Sequence, residues 1–277
     1  MSPNTDMSWQ ITVRERFSAA GSARRWSEMY GTEAGESPEE HFFRLRRDYT
    51  VRHVLETCGP DALILDVGCG SGPVTAGLRQ GGRRVVALDY SLDMLRLADE
   101  RLEREARAPG GLLQGDSQRL PFPTATLDAV VCLGVISYIR DYRSVLREVR
   151  RVLKPGGRLV LSTRNKWNPR FSDPVQPVRD AVRWLRHALD GRHEVVTGRF
   201  LSPFEVERRL REEGFAVDRF VGIGFGPPRF NRRPLVSAQA SIRLSDRLQR
   251  FFARLGSAAP YRLFADVNLW ICRSPGE

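Results

Sequence analysis

Hydrophobic and polar positions change period several times along this chain, and the changes predict its elements. An apolar run over 62–65 (Ala62, Leu63, Ile64, Leu65) stops at Asp66, and the alternate glycines Gly68, Gly70 and Gly72 follow. A helical pattern starts at Pro73, a residue suited to a first helical position. A second apolar run over 85–88 stops at Asp89. The expected order is strand, glycine turn, helix, strand. A third apolar run closes in Gly115, Asp116 and Ser117, and a fourth strand is expected over 127–132. Lys154, Pro155, Gly156 and Gly157 then stop a helix and open a fifth strand that runs to Ser162.

The flanks carry longer periods. Positions 38–58 read as an amphipathic helix, with Phe42, Leu45, Tyr49, Arg52, Val54 and Leu55 near a 3.6-residue repeat. Beyond the fifth strand, 164–200 reads as an insertion. Trp167, Pro169, Phe171, Pro174 and Pro177 make a stiff loop, and a helix over 178–189 sets Val178, Val182, Leu185 and Leu189 against Arg179, Arg183 and Arg186. Ser202 is an expected N-cap, and a sixth strand is expected over 215–221. Another helix sets Leu244, Leu248, Phe251, Phe252 and Leu255 against Arg243, Arg247, Arg250 and Arg254. Positions 266–272 complete the pattern as a seventh strand, antiparallel to its neighbours. The class is α/β: a doubly wound, seven-stranded, mostly parallel sheet with N-terminal helices and a helical lid insertion. The expected organisation is a helical cap (1–60), a core (61–163), a lid (164–200) and the rest of the sheet with an inserted helix (201–277).

Candidate chemistry gathers at the glycine turn. An acid at the tip of a second strand, about 20 residues past such a turn, is where a doubly wound sheet holds a nucleotide ribose; here it is Asp89. A dinucleotide fold wants G-x-G-x-x-G, but the third glycine comes one residue early and Pro73 stands in its place. Asp66 would also face a pyrophosphate badly, and it suits a cation such as the ammonium of a methionine moiety. Four segments decide: LDVGCGSG (65–72), ALD (87–89), GDSQRLPF (115–122) and LKPGGRLVLS (153–162). In this order and spacing, 61–163 resembles the class I S-adenosylmethionine-dependent methyltransferases. The resemblance implies a Rossmann-like fold and S-adenosyl-L-methionine as cofactor.

Roles in that site follow from charge and shape. Gly68 and Gly70 let backbone approach the ligand. Asp66 offsets the ammonium, Asp89 accepts from both ribose hydroxyls, Tyr90 and Met94 give apolar surface to adenine, and Asp116, with Ser117 beside it, accepts from the exocyclic amine. The resemblance further implies an arginine on the preceding helix that clamps the methionine carboxylate, where Arg46 and Arg47 both stand and Arg47 is chosen, and an aromatic N-terminal segment around Trp26 and Tyr30 that folds over the cofactor. On the acceptor side the titratable candidates are Tyr138, after strand four, and His193 or His187 in the lid, with His193 taken as the base. Ser162-Thr163-Arg164-Asn165, the basic lid helix and Arg199-Phe200-Leu201-Ser202-Pro203 resemble the ubiquinone-pathway O-methyltransferases. That likeness implies methyl transfer to an oxygen of a hydrophobic small molecule in a biosynthetic pathway. Those enzymes hold a metal with two glutamates and a histidine after strand four. Here Gly134, Ser137 and Tyr138 stand there, so no metal is expected.

Composition changes the picture in two places. At 41% hydrophobic and 28% charged residues the chain reads as soluble and globular; no leader pattern opens it, and its four cysteines are widely spaced, so a reduced cytoplasmic setting is expected. The net charge of +11 is uneven: 1–163 carries +2 and 164–277 carries +9. Basic amphipathic helices could meet anionic lipid at a membrane surface, or pack their apolar faces inward and wet their arginines. The basic balance also admits a nucleic-acid acceptor. Amino-group DNA enzymes, however, carry an Asn/Asp-Pro-Pro-aromatic turn after strand four, where this chain reads Leu133-Gly134-Val135-Ile136-Ser137-Tyr138. A second alternative, a non-catalytic accessory subunit, would have no need of Asp66, Gly68, Gly70, Asp89 and Asp116 together.

Overall fold

Helix α1 (Pro38–Thr57) begins with a capping box: Ser37 Oγ accepts from Glu40 N at 3.2 Å, and Glu40 Oε2 accepts from Ser37 N at 2.7 Å. The computed structural model describes residues 37–105, 110–167, 200–225, 229–230, 233–254 and 259–276, and positions 175, 178, 181 and 182. After α1 come β1 (Leu63–Val67), α2 (Pro73–Gln80), β2 (Arg84–Asp89), α3 (Leu92–Glu105), β3 (Leu112–Gln114) and β4 (Leu127–Leu133). They are followed by α4 (Tyr142–Val152), β5 (Leu153–Arg164), α5 (Pro203–Glu212), β6 (Ala216–Ile223), α6 (Ala238–Arg254), α7 (Ala259–Phe264) and β7 (Val267–Arg273). The sheet order is β3-β2-β1-β4-β5-β7-β6. Pairings from β3 through β5 are parallel, and β7 runs antiparallel to both β5 and β6. The seven-stranded doubly wound sheet expected from the apolar runs is therefore the fold.

Its central strands are apolar on both faces because both are covered. Leu159, Leu161, Trp270 and Cys272 belong to one cluster with α4 and α5, and Ile64, Val131, Val160, Leu269 and Ile271 to another with α2 and Val54 of α1. Strand order reverses between β1 and β4, which opens a crevice at the carboxyl end of β1.

Three local expectations need correcting. The buried face of α1 is Phe42, Phe43, Arg46, Thr50 and Val54, while Leu45, Tyr49 and Leu55 are only partly buried and Arg52 is exposed. An i, i+4 ladder thus carries two polar side chains inward, and α1 is not the clean amphipath its sequence suggests. Ser202 does sit at the N-cap of α5, but its side chain makes no capping hydrogen bond. In α6, Leu248 and Phe252 pack on the core while Leu244 and Phe251 are exposed. The small polar Ser241 and Ser245 are buried instead. The expected aromatic segment before residue 37 and the lid helix over 178–189 lie outside the described residues, positions 178, 181 and 182 excepted. All four cysteines are free thiols. Among the described residues no helix is long and apolar enough to cross a membrane.

Candidate cofactor and acceptor site

The turn after β1 is a run of left-handed glycines. Gly68, Gly70 and Gly72 have φ of 67°, 55° and 74°, a region that other residues enter only under strain. Gly68 has a second reason to be glycine, since a Cβ there would lie 2.2 Å from Val135 Cγ2 in the turn after β4. At Gly70 a Cβ would meet nothing within 4 Å among the described residues. Gly68 N and Cys69 N both donate to Leu88 O, at 2.7 and 3.1 Å, which ties the loop to the end of β2.

Asp89 completes that tie. Its Oδ2 accepts from Gly70 N at 2.8 Å and its Oδ1 from Ser91 N at 2.9 Å, and the Tyr90 backbone N–H also pulls on the carboxylate. Burial raises its pKa against the pull of these backbone donors. Asp66 is buried deeper, 2% exposed, and accepts from Thr75 Oγ1 at 2.6 Å. Burial, with the charge of Asp89 added, pushes its pKa up to about 6, against the Thr75 hydrogen bond and the charge of Arg46. A buried carboxylate raised in this way is one that a cationic ligand would stabilise. Beside it the buried thiols of Cys69 and Cys132 are pushed upward as well, Cys132 to about 12. That marks them as packing groups rather than nucleophiles.

The fold brings Asp66, Gly68, Gly70 and Asp89 together, as their spacing indicated. Tyr90 follows Asp89 with 37% of its surface exposed. Met94 is buried on the inner face of α3, so of the pair assigned to adenine only Tyr90 offers exposed surface. Asp116 closes its own turn, its Oδ1 accepting from Gln118 N at 2.9 Å, and Ser117 beside it is buried. Tyr138 ends a single 3-10 turn (Ile136–Tyr138) after β4 and is half-buried. His193 and His187 lie outside the described residues. The two neighbouring arginines of α1 point different ways. Arg47 turns to its neighbour Asp48 at 2.7 Å, whereas Arg46 is 5% exposed and reaches from α1 to the strand tips. Arg46 Nη1 lies 3.5 Å from Ser162 Oγ and 3.3 Å from where a Cβ on Gly134 would stand. The ladder Phe42, Arg46, Thr50, Val54 was the signal that could have found it. Thr75 had no such signal, because its role depends on which turn of α2 meets the β1 tip. Among the described residues no group of His, Cys, Asp and Glu side chains could hold a metal ion.

Comparisons with known proteins bear on the enzyme class. Residues 65–161 match the family described as "Methyltransferase domain", and the match runs from the residue before Asp66 through most of β5. The chain is an S-adenosylmethionine-dependent methyltransferase whose matched domain resembles the class I enzymes. S-adenosylmethionine is therefore its cofactor. The chain is 28% identical over 223 residues to a ubiquinone biosynthesis O-methyltransferase of Xanthomonas oryzae pv. oryzae, covering 80% of this methyltransferase and 87% of that one. It is 40% identical over 100 residues to the demethylmenaquinone methyltransferase of Lactococcus lactis subsp. lactis, covering 35% and 40% of the two chains. Among solved structures, the magnesium protoporphyrin IX methyltransferase of Synechocystis PCC 6803 with bound S-adenosylhomocysteine superimposes with a TM-score of 0.64 at 17% identity. That alignment covers 96% of this chain and 99% of the other, a likeness of fold.

Proposed function

We propose that Asp66, Gly68, Gly70, Asp89, Tyr90, Asp116 and Arg46 hold S-adenosylmethionine, and that its methyl group passes to an oxygen of a hydrophobic small molecule seated over the tips of β4 and β5. The observation that carries the cofactor reading is a buried acid, Asp66, and a partly buried one, Asp89, on either side of a left-handed glycine loop. Asp89, already fixed to Gly70 N, turns its carboxylate to the ribose hydroxyls. Asp66 meets the ammonium, and Arg46, the buried cation above the β5 tip, takes the carboxylate in place of Arg47. When bound, the cofactor supplies an electrophilic sulfonium methyl. The chain's own residues align the ligands and keep water out.

An oxygen acceptor is supported by the 28% identity to the ubiquinone-pathway enzyme over most of both chains. Tyr138, at the β4 tip, serves as an acceptor contact in this reading, and a base role falls to His193. Peripheral contact with an anionic bilayer is supported by α6, where exposed Leu244 and Phe251 lie among exposed Arg243, Arg247 and Arg250. The test is turnover of methyl-labelled S-adenosylmethionine with alkyl-substituted phenols, run beside total RNA. Label in the organic phase supports the reading, and label found only in RNA refutes it.

A further inference from the structure

A row of buried polar side chains crosses the sheet near the strand tips, and α6 reaches it through Gln249. Thr163 on β5 and Asn268 on β7 are register partners, and on its other side Asn268 is the partner of Gly222 on β6. Thr163 and Asn268 are both 0% exposed, yet among the described residues Thr163 Oγ1 and both ends of the Asn268 amide lack a hydrogen-bond partner. Strand alternation places Asn268 on the same face as Trp270, whose indole Nε1 is also buried without a partner. From α6, Gln249 Nε2 donates to Gly222 O at 2.7 Å, and Gln249 Oε1 is buried with nothing to accept from. Folded proteins rarely leave such groups unsatisfied, because each has given up water for nothing. Apolar residues would fill the same space at less cost.

The place of the row and the build of α6 suggest what fills it. Leu133 at the end of β4 pairs with Ser162, next in chain to Thr163, and Gly134 N donates to Ser162 O. From β4 to β7 is two strand spacings, about 10 Å, which is room for one ring. Beside the row, α6 is held by Leu248 and Phe252 on the core, with Phe252 stacked on Phe225, and by three polar contacts: Phe225 N to Ser245 Oγ at 3.0 Å, Gln249 to Gly222 O, and His41 Nε2 with Asp246 Oδ1 at 2.9 Å. The row holds donors (Asn268 Nδ2, Trp270 Nε1) and acceptors (Asn268 Oδ1, Gln249 Oε1), with Thr163 able to be either and no charge among the four residues. That set matches a neutral hydroxyl or carbonyl oxygen and not an anion.

We propose that this row is the far end of the acceptor pocket. With α6 lifted it hydrogen-bonds a second, neutral oxygen of an acceptor ring whose first oxygen lies over the β4 tip. The inference rests on the hydrophobic small-molecule reading above. It is tested by calorimetry on protein saturated with S-adenosylhomocysteine, using octylhydroquinone, octylphenol and octylbenzene as probes. The two-oxygen probe is expected to bind about tenfold or more tightly than octylphenol, since a site built to bond an oxygen rejects the analogue lacking it. In Thr163→Val, Asn268→Leu and Gln249→Met that ratio falls toward unity while affinity for S-adenosylhomocysteine stays unchanged. A wild-type ratio near unity, or one that survives in the folded variants, overturns the inference and leaves the row holding internal water alone. Should Asn268→Leu not fold, the isosteric Thr163→Val carries the test. Failure of all three probes to bind the wild type tells instead against a hydrophobic acceptor, and the inference falls with it.

Discussion

Replacing Asp66 by Asn should stabilise the empty protein while weakening its hold on the cofactor. Burial lifts the Asp66 pKa from 3.8 to about 6, so the folded state binds this proton more tightly than the unfolded chain does. A group raised on folding contributes its stability below the unfolded value and loses it as pH climbs through the folded one. At about pH 7.5 the ionised carboxylate therefore costs the empty protein roughly 3 kcal/mol, from about 2 units at 1.36 kcal/mol each. Asn removes that charge and can still accept from Thr75 Oγ1. The expected gain is up to about 3 kcal/mol, or roughly 5–10 °C in melting temperature for a chain of this size. The gain should shrink as pH falls from about 6 toward 4. Affinity should move the other way, because the ammonium loses a charge-assisted partner worth about 1.5–3 kcal/mol, or roughly 10- to 100-fold. Thermal melts across this pH range with and without S-adenosylhomocysteine, together with calorimetry near neutrality, read both effects. An Asp66→Asn variant that melts lower than wild type at about pH 7.5, or that binds S-adenosylhomocysteine equally well, would refute the reasoning.

Gly68→Ala should lose about 1–3 kcal/mol of stability along with most cofactor affinity, since its φ is positive and its new Cβ meets Val135. Urea melts check the first effect and calorimetry the second, and pairing it with Val135→Ala should relieve only the contact. Arg46→Ala should weaken S-adenosylhomocysteine by about 10- to 100-fold, whereas Arg47→Ala, which breaks an exposed pair with Asp48, should change stability and affinity by about 0.5 kcal/mol or less; equal calorimetric effects would contradict the choice of Arg46. If α6 meets anionic lipid, the protein should float with phosphatidylglycerol vesicles at low salt and be released at high salt. Phe251→Ser should then weaken flotation without altering the melting temperature by more than about 2 °C.

The apolar runs, the acids that end them and the glycine spacing were enough to define the sheet and the cofactor. Strands buried on both faces must be written as unbroken apolar stretches, and a loop needing left-handed backbone must be written in glycine. Local sequence could therefore name Asp66, Gly68, Gly70 and Asp89. Packing between distant segments decided the rest. Which arginine of α1 turns inward depends on how that helix is rotated against β4 and β5, and Arg46, not Arg47, falls on the ladder with Phe42 and Thr50. The raised pKa of Asp66 needs its burial between β2 and β4 beneath α2. Thr163, Asn268 and Gln249 lie up to about a hundred residues apart in sequence, and only the closing of β7 between β5 and β6, with Gln249 reaching in from α6, makes them neighbours. Periodicity records which face of an element is buried, but it holds no information about which side chains from other elements will share that interior.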